Sequence, residues 1–438
     1  SLLTGLSLAM TLLPEEFPVV LIIFFALGVY RLSKLSVLSR RMPVIETLGS
    51  TTVLCVDKTG TLTQNTMRVR FVSVEGISYP IDDHSDLSSS GPVFSLLATA
   101  ALASDPHAVD PIDEALNRLM NAHEEYKEHA KQLSYEGSQE LPYPFLRNRK
   151  YCNGDDTIIA VKGAPESIVK LCHLDGQEKD AIDRDTDAFA QRGFRVLAVA
   201  RSRQDTTDSE AFDYLGLVAF EDPLRPDTKE AVAQCHDAGI RVVMITGDYP
   251  ATAGHIAREI GIANAETVVT GDQLREASVQ HIQELVATAN IFARIQPSQK
   301  LDIVKAFKDA GEVVGMTGDG VNDAPALKSA HIGIAMGKHG TDVAREAASL
   351  VLLQDDFHSL VAAVRMGRMI YDNIKKATSY IIAIHVPIAG MALLPLAFGY
   401  PVVLLPVHIA FLELLIDPAC TVVFESEEEE GDSMKRKP

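Results

Sequence analysis

The chain is 438 residues long, 47% of them hydrophobic, with a formal net charge of −19. That length suits two or three domains, and no basic patch offers a footprint for nucleic acid. Five cysteines (Cys55, Cys152, Cys172, Cys235 and Cys420) lack any CxxC spacing, so free thiols on a reducing cytoplasmic side are expected rather than a disulfide framework.

The chain starts with Ser1 inside an apolar stretch that lacks a signal-peptide layout, and it reads as an inner part of a longer protein. Residues 1–35 are long enough to span a bilayer, which takes about 20 apolar residues, but Pro14-Glu15-Glu16-Phe17-Pro18 interrupts them. Two prolines four apart leave backbone carbonyls unpaired, and at membrane depth such backbone survives where it lines a cavity. Carboxylates there are functional candidates because their burial is expensive. Arg31, Lys34, Arg40 and Arg41 put the following end of the span in the cytoplasm.

A strand buried on both faces is predicted over Thr52-Val53-Leu54-Cys55-Val56, followed by Asp57-Lys58-Thr59-Gly60-Thr61-Leu62-Thr63. The carboxyl end of a strand in an open α/β sheet is where ligands bind. Asp57 therefore reads as a nucleophile able to carry a phosphoryl group, with Lys58, Thr59 and Thr61 gathering phosphate oxygens. Read alone, Asp-Lys-Thr is a capped turn with a solvated acid; the whole heptad after an apolar strand carries the reading.

Residues 66–217 read as an insertion. Ser73 to Pro92 looks loop-rich, with turn signals at Asp82-Asp83 and Ser88-Ser89-Ser90-Gly91. Val93–Ala103 and Pro111–Ala122 have helical spacing, while Thr157–Val161 and Phe194–Val199 read as strands. Strands presenting an aromatic ring and a lysine, here Phe145 and Lys162, are able to stack a purine and neutralise phosphates.

Residues 36–65 and 218–362 are assigned to one discontinuous α/β domain. Tyr214–Phe220 ends in Glu221-Asp222-Pro223-Leu224-Arg225-Pro226. Ile240–Ile245 delivers Thr246-Gly247-Asp248 ahead of a helix whose N-terminus favours anions. Lys300 starts a later helix, Glu312–Met316 delivers Thr317-Gly318-Asp319-Gly320-Val321-Asn322-Asp323, and Leu350–Leu353 ends near Asp355. Converging strand ends would make an oxygen site suited to Mg2+, with Asp57, Asp319 and the Thr59 carbonyl as ligands. Thr246, Gly247 and Lys300 would hold a transferring phosphoryl group, Asp248 completes that turn, and Asn322 and Asp323 would orient the cluster.

Residues 363–425 read as two further spans. Ala377–Phe398 follows Lys375-Lys376 and contains His385 beside Pro387, a histidine that reads equally as core or as ligand. Gly399-Tyr400-Pro401 then turns into Val402–Phe424, where Glu413 and Asp417 lie four apart on one helical face. Paired acids inside a membrane want a cation, and Glu15 supplies a third carboxylate; such a set favours Ca2+ or Mn2+ over soft metals. No Cys-Pro-Cys sits in the first span, which argues against copper or zinc. Glu427-Glu428-Glu429-Glu430, within residues 426–438, reads as a solvated, flexible acidic tail.

DKTGTLT, TGD, TGDGVNDAPAL, KGAPE at Lys162–Glu166 and Pro-Glu-x-x-Pro at 14–18 resemble, over nearly the whole chain, P-type cation-transporting ATPases of the calcium-pump-like, bacterial type. The resemblance implies an α/β haloacid dehalogenase-like phosphorylation domain with a Rossmann-like parallel sheet and an inserted α+β nucleotide-binding domain. It also implies three transmembrane helices, the family's fourth, fifth and sixth. ATP and Mg2+ come with it, as does an aspartyl-phosphate at Asp57. Phe145 would stack on adenine and Lys162 would line the pocket, while Asp113, Arg147, Arg195 and Arg225 would hold base and phosphates. Glu15, Glu413 and Asp417 would bind the transported cation, Ca2+ ahead of Mn2+ or Mg2+. Glu16 stands where calcium pumps have Gly, Glu413 where they have Asn, and His385 and Ile388 replace an Asn and a Glu, which suggests one ion site rather than two.

The expected setting is the lipid of a plasma (inner) membrane, with the catalytic domains in the cytoplasm. The family's actuator domain and its other helices fall outside this stretch. The chain is therefore expected to form the phosphoenzyme, hydrolyse it slowly and need those parts as partners for transport. The alternatives are a membrane-tethered phosphatase of the same superfamily, against which Thr59 stands where a second acid is usual, and a nucleotide-binding regulatory subunit.

Overall fold

The computed structural model describes residues 5, 16–82, 91–107, 110–138, 141, 146–153, 156–203, 212–401, 403–418 and 422–437, with only the backbone of 16, 417 and 418. In chain order the strands are β1 (Val37–Ser39), β2 (Val53–Asp57), β3 (Arg68–Val74), β4 (Ile77–Pro80), β5 (Ser134–Gly137), β6 (Leu146–Asn153), β7 (Asp156–Gly163) and β8 (Arg195–Ser202). They continue as β9 (Asp213–Glu221), β10 (Arg241–Ile245), β11 (Val268–Thr270), β12 (Ile291–Ala293), β13 (Val314–Gly318), β14 (Ile332–Met336) and β15 (Leu350–Leu352).

The first sheet has the order β1-β15-β14-β13-β2-β10-β12-β11 and is parallel except for β1. Its central strands are apolar throughout because helices cover both faces. Leu54, Val56, Val242 and Met244 enter one core with Ala231, Ile256 and Phe357. The alternating residues Val53, Cys55, Val243 and Ile245 enter the other with Val286, Ile303 and Phe307. From β2 the chain visits β10, β11 and β12 on one side before crossing to β13, β14 and β15 on the other. The carboxyl ends of β2, β10 and β13 thus open on a topological switch point, where sheets of this kind bind ligands.

The insertion forms a second, seven-stranded antiparallel sheet of order β4-β3-β9-β8-β7-β6-β5. The helices Pro92–Leu102 and Pro111–Asn121 pack on one face and Pro165–Leu171 and Gly176–Gln191 on the other. The boundary expected at 217/218 cuts through β9, which belongs wholly to this sheet and ends at Glu221-Asp222-Pro223. The expected loop after Ser73 is a β3–β4 hairpin, turned by Glu75 and Gly76 at φ 51° and 76°; those values suit a two-residue primed turn. The chain leaves and re-enters the first sheet through paired strands, with an antiparallel bridge between Thr63 and Leu224.

The helix Glu16–Lys34 packs against a single 41-residue helix, Phe357–Ala397, that carries Pro387 and Pro395 without breaking. Gly28 permits the approach, since a Cβ there would sit 2.8 Å from Ile370 Cδ1. The boundary expected at 363 therefore falls inside a helix that runs from the catalytic domain into the apolar region. Among the described residues two helices, not three, are long and apolar enough to cross a membrane. The expected third span is the 13-residue helix Pro406–Pro418, about 20 Å long at 1.5 Å per residue. Pro401 and Pro406 hold back its start, and residues 419–421 lie outside the described set.

The acidic tail is not a free end. Ser433 and Met434 are buried, and Lys376 pairs with Glu427 at 3.0 Å and Glu430 at 2.7 Å. Arg368, 4% exposed, donates to the carbonyls of Ser433, Arg436 and Ala238 at 2.8–2.9 Å. One guanidinium on the long helix thereby ties residues 433–436 to the end of the helix Thr228–Asp237, which packs on the first sheet. Arg368→Met orphans three carbonyls, a loss of about 1–3 kcal/mol each when buried. The expected result is a lower melting temperature together with faster tryptic removal of the last residues.

Candidate active site

β2 ends on Asp57 at the switch point. Lys300, held in the first turns of the helix Pro297–Asp309 by a Gln296/Gln299 capping box, donates to Asp57 Oδ2 at 2.5 Å and to Asp323 Oδ1 at 2.8 Å. The second oxygen of Asp323 accepts the backbone N–H groups of Asp319 and Gly320 at 3.2 and 3.1 Å, so it shapes the loop that follows β13. Gly318 has to be glycine there, because a Cβ would lie 2.6 Å from that of Asp323. The Asp57 N–H donates to Thr317 Oγ1 at 2.9 Å and locks the ends of β2 and β13 together. One oxygen from each of Asp57, Asp319 and Asp323 lies within 4.8 Å of the others.

Burial raises the pKa of Asp57, against the pull of Lys300. Burial and the two neighbouring acids push Asp319 up to about 6. Burial pulls the Lys300 pKa down, but Asp57 and Asp323 outweigh it and raise it, which keeps the ammonium charged. Three carboxylates against one ammonium leave the pocket negative, and hard oxygens so arranged fit a divalent cation such as Mg2+.

Several expected residues are placed differently. Lys58 points away from Asp57 into an ion pair with Asp248 at 2.5 Å, both largely buried. Burial would raise Asp248, but Lys58 and Arg195 keep its carboxyl below the ordinary value. Thr61 is sealed against Met336 Sδ at 3.9 Å rather than facing the pocket. Thr59 is extended (φ −72°, ψ 129°) before the turn that Gly60 makes at φ 77°. Thr246 is buried and accepts the Asp248 N–H at 3.1 Å, whereas a Cβ on Gly247 would meet nothing within 4 Å, so that turn leaves room in front of it. Asn322 is exposed on the turn Val321–Asp323.

In the insertion, Lys162 is buried between Asp113 Oδ1 and Ser104 Oγ. Arg147 reaches Asp113 at 3.2 Å and Asp110 at 2.9 Å. Lys162 lies on β7 itself, not beyond its end. Asp113, Arg147, Leu146 and Tyr135 line a cleft of about 360 Å³. Phe145 lies outside the described residues. Arg195 is not in this group; its charge acts on Asp248. Arg225 is a hinge residue, donating to the carbonyls of Thr63 at 3.0 Å and Gly60 at 3.2 Å.

Sequence reasoning missed Asp222, which takes the Thr63 hydroxyl at 2.5 Å and the Thr66 N–H at 3.3 Å across the hinge. Its position in Asp-Pro after an apolar strand was the available signal. It also missed Asp355, wholly buried, which accepts the N–H groups of Gly337, Lys338 and His339 and pairs with the His339 ring. In the apolar region, Glu15 and the side chain of Asp417 lie outside the described residues. Glu413 is half-buried on its short helix, and the His385 ring nitrogen lies 2.9 Å from the Ile381 carbonyl.

A family model described as haloacid dehalogenase-like hydrolase matches residues 51–331. The chain is similar to the probable cation-transporting ATPase F of Mycobacterium tuberculosis, at 35% identity over 487 residues, covering 99% of this chain and 53% of that protein. It is similar to the calcium-transporting ATPase of Bacillus subtilis, at 33% identity over 485 residues, covering 100% and 54%. Calcium-transporting ATPase 1 of Lactococcus lactis is 34% identical over 475 residues, covering 100% and 52%. The chain spans about half the length of these curated relatives.

Because the Asp319 pKa is raised in the fold, its ionisation works against folding, a penalty absent below about pH 4 and complete above about pH 6. A divalent cation relieves that penalty only where the acids are ionised. Thermal melts are expected to show Mg2+ raising the melting temperature clearly at pH 7.5 and little at pH 5. An equal shift at both would count against a cation among these carboxylates.

Proposed function

We propose, on the premise that this chain belongs to the haloacid dehalogenase-like hydrolase family, that it is the catalytic and partly intramembrane section of a P-type ATPase. In this reading Asp57 is phosphorylated by ATP and the phosphoenzyme drives a hard cation across a membrane. The observation that carries it is the Lys300–Asp57 contact of 2.5 Å at the end of the central strand, with Asp319 and Asp323 beside it. A carboxylate oxygen of Asp57 forms a bond to the γ-phosphorus as the bond to the β-phosphate oxygen breaks, and ADP leaves. Lys300 holds positive charge against the transferring group, where fixed charge is most effective. The open side of Gly247, under the Thr246 turn, provides room for phosphoryl oxygens. Asp57, Asp319 and the Thr59 carbonyl would hold Mg2+, which when bound neutralises the phosphate oxygens.

Asp113, Lys162 and Arg147 are the proposed nucleotide-binding group, with Phe145 as the stacking ring. Arg195 and Arg225 lie outside that cleft, Arg195 acting by its charge on Asp248 and Arg225 bonding the Thr63 and Gly60 carbonyls, and are proposed to act on the phosphates from the side of the first sheet. The proposed cargo is Ca2+ before Mn2+ or Mg2+, on Glu15, Glu413 and Asp417 as ligands. The calcium-transporting relatives support Ca2+, and oxygen-only ligands suit a hard cation. The proposed location is a plasma membrane with both sheets on the cytoplasmic side.

Incubation with γ-labelled ATP and Mg2+ is expected to give an acid-stable, hydroxylamine-labile label on the chain. Asp57→Asn should abolish it, and Lys300→Met should slow it by roughly 10²-fold, the scale for losing one electrostatic contact to a transition state. A label that survives Asp57→Asn sinks the assignment. Repeating the labelling across a cation panel with Glu15→Gln and Asp417→Asn tests the cargo, since ion dependence should disappear in both.

A further inference from the structure

The backbone of Arg294 adopts the left-handed region, φ 52°, between the end of β12 and the helix Pro297–Asp309. For a non-glycine residue that conformation costs of order 1 kcal/mol or more and persists only where neighbours impose it. Two neighbours do. The Arg294 N–H donates to the carbonyl of Asp248 at 3.0 Å, and the next N–H, of Ile295, donates to that of Thr246 at 3.1 Å. This corner therefore grips the turn that carries Gly247.

The side chain of the same residue leaves the sheet entirely. Its guanidinium stacks over the ring of Tyr249, 5.2 Å from the centroid, and offers two nitrogens at 3.3 Å to one carboxylate oxygen of Glu166 in the inserted domain. Glu166 lies in the first turn of the helix Pro165–Leu171, four residues after Lys162 on β7. The seam around it is polar and repeated. Tyr249 Oη donates to Asp187 at 3.0 Å, and Thr252 Oγ1 donates to the Phe194 carbonyl at 3.2 Å. Gly193, at φ 86°, lies so close to the His255 ring that a Cβ would approach it to 2.7 Å. The Arg294–Glu166 and Tyr249–Asp187 contacts are half-exposed and polar, and such contacts make and break readily, unlike a buried apolar interface.

We propose that Arg294 is a positioning residue: its Glu166 contact latches the inserted domain onto the first sheet and so brings a phosphoryl donor held by that domain to the Thr246-Gly247-Asp248 turn, which backbone bonds keep ordered. This rests on the nucleotide reading of the insertion given above. A latch is the simplest role for a strained residue whose backbone belongs to one site and whose side chain belongs to the other. A donor that needs no inserted domain, acetyl phosphate, bypasses it.

The test uses the full chain with Arg294→Glu, Glu166→Arg and the double exchange. Each single change is expected to lower ATP-driven labelling of Asp57 by about tenfold, a typical penalty for lost orientation, while labelling by acetyl phosphate stays within about twofold of the parent. The double exchange should restore most of the ATP-driven rate. Equal losses with both donors, or no rescue, overturn the latch in favour of simple damage to the turn. Amide hydrogen exchange provides a readout independent of phosphorylation. Segment 163–172 should exchange faster in each single variant and recover in the double, while 246–252 stays protected. Unchanged exchange overturns the proposal, whereas a parent labelled by neither donor, with the exchange result intact, fails the Asp57 reading and leaves the latch standing.

Discussion

The ammonium of Lys300 lies between Asp57 and Asp323, and the pocket is arranged around that charge. Without it, three clustered carboxylates, one buried and two partly so, would repel one another and favour protonation. With it, Asp57 stays part-exposed at the end of its strand, and Asp323 is free to use its other oxygen on the loop after β13. The residual negative charge raises Asp319 and prepares the pocket for a divalent cation. One lysine thus fixes an acid, a loop and the pull for a metal.

That lysine is placed by a helix 243 residues away from Asp57 in sequence. The parallel sheet closes this distance by putting β2 between β10 and β13, so three separate loops meet at one edge. The antiparallel insertion can sit between β2 and β10 without disturbing them because its two connections run side by side. Thr63, Asp222 and Arg225 bind them into a paired hinge. The insertion therefore joins the first sheet at one place, next to the end of β2.

The long helix carries the same logic towards the apolar region. Its 41 residues run unbroken from the catalytic core past Arg368, where the chain end docks, to Ala397. Pro387 and Pro395 each leave out one backbone hydrogen bond near its far end, but the helix is continuous from the first sheet to the apolar segment, a connection that the proposed transport reading would use.

The short motifs were legible from the amino-acid order because each couples a local pattern to a local structure. An apolar run predicts a buried strand, and an acid after it predicts a strand end at a ligand site. Asp57, Thr246, Lys300, Asp319 and Asp323 were all visible in this way, and so was the α/β class with its insertion. Partners set by folding at long range were not. Lys58 turns to Asp248 and Arg225 to the carbonyls of Thr63 and Gly60 because partners distant in sequence lie within reach, and no spacing rule records those partners. β1 is only three residues long and pairs with β15 across some 300 residues of chain, so it gives no periodic signal. The acidic tail reads as solvated by composition, yet it docks because Arg368 and Lys376 on the long helix meet its carbonyls and carboxylates while its own Arg436 meets Asp372. Order along the chain determined which chemistry is present; only the packed structure decided which charges face one another, because electrostatic pairing depends on distance in space.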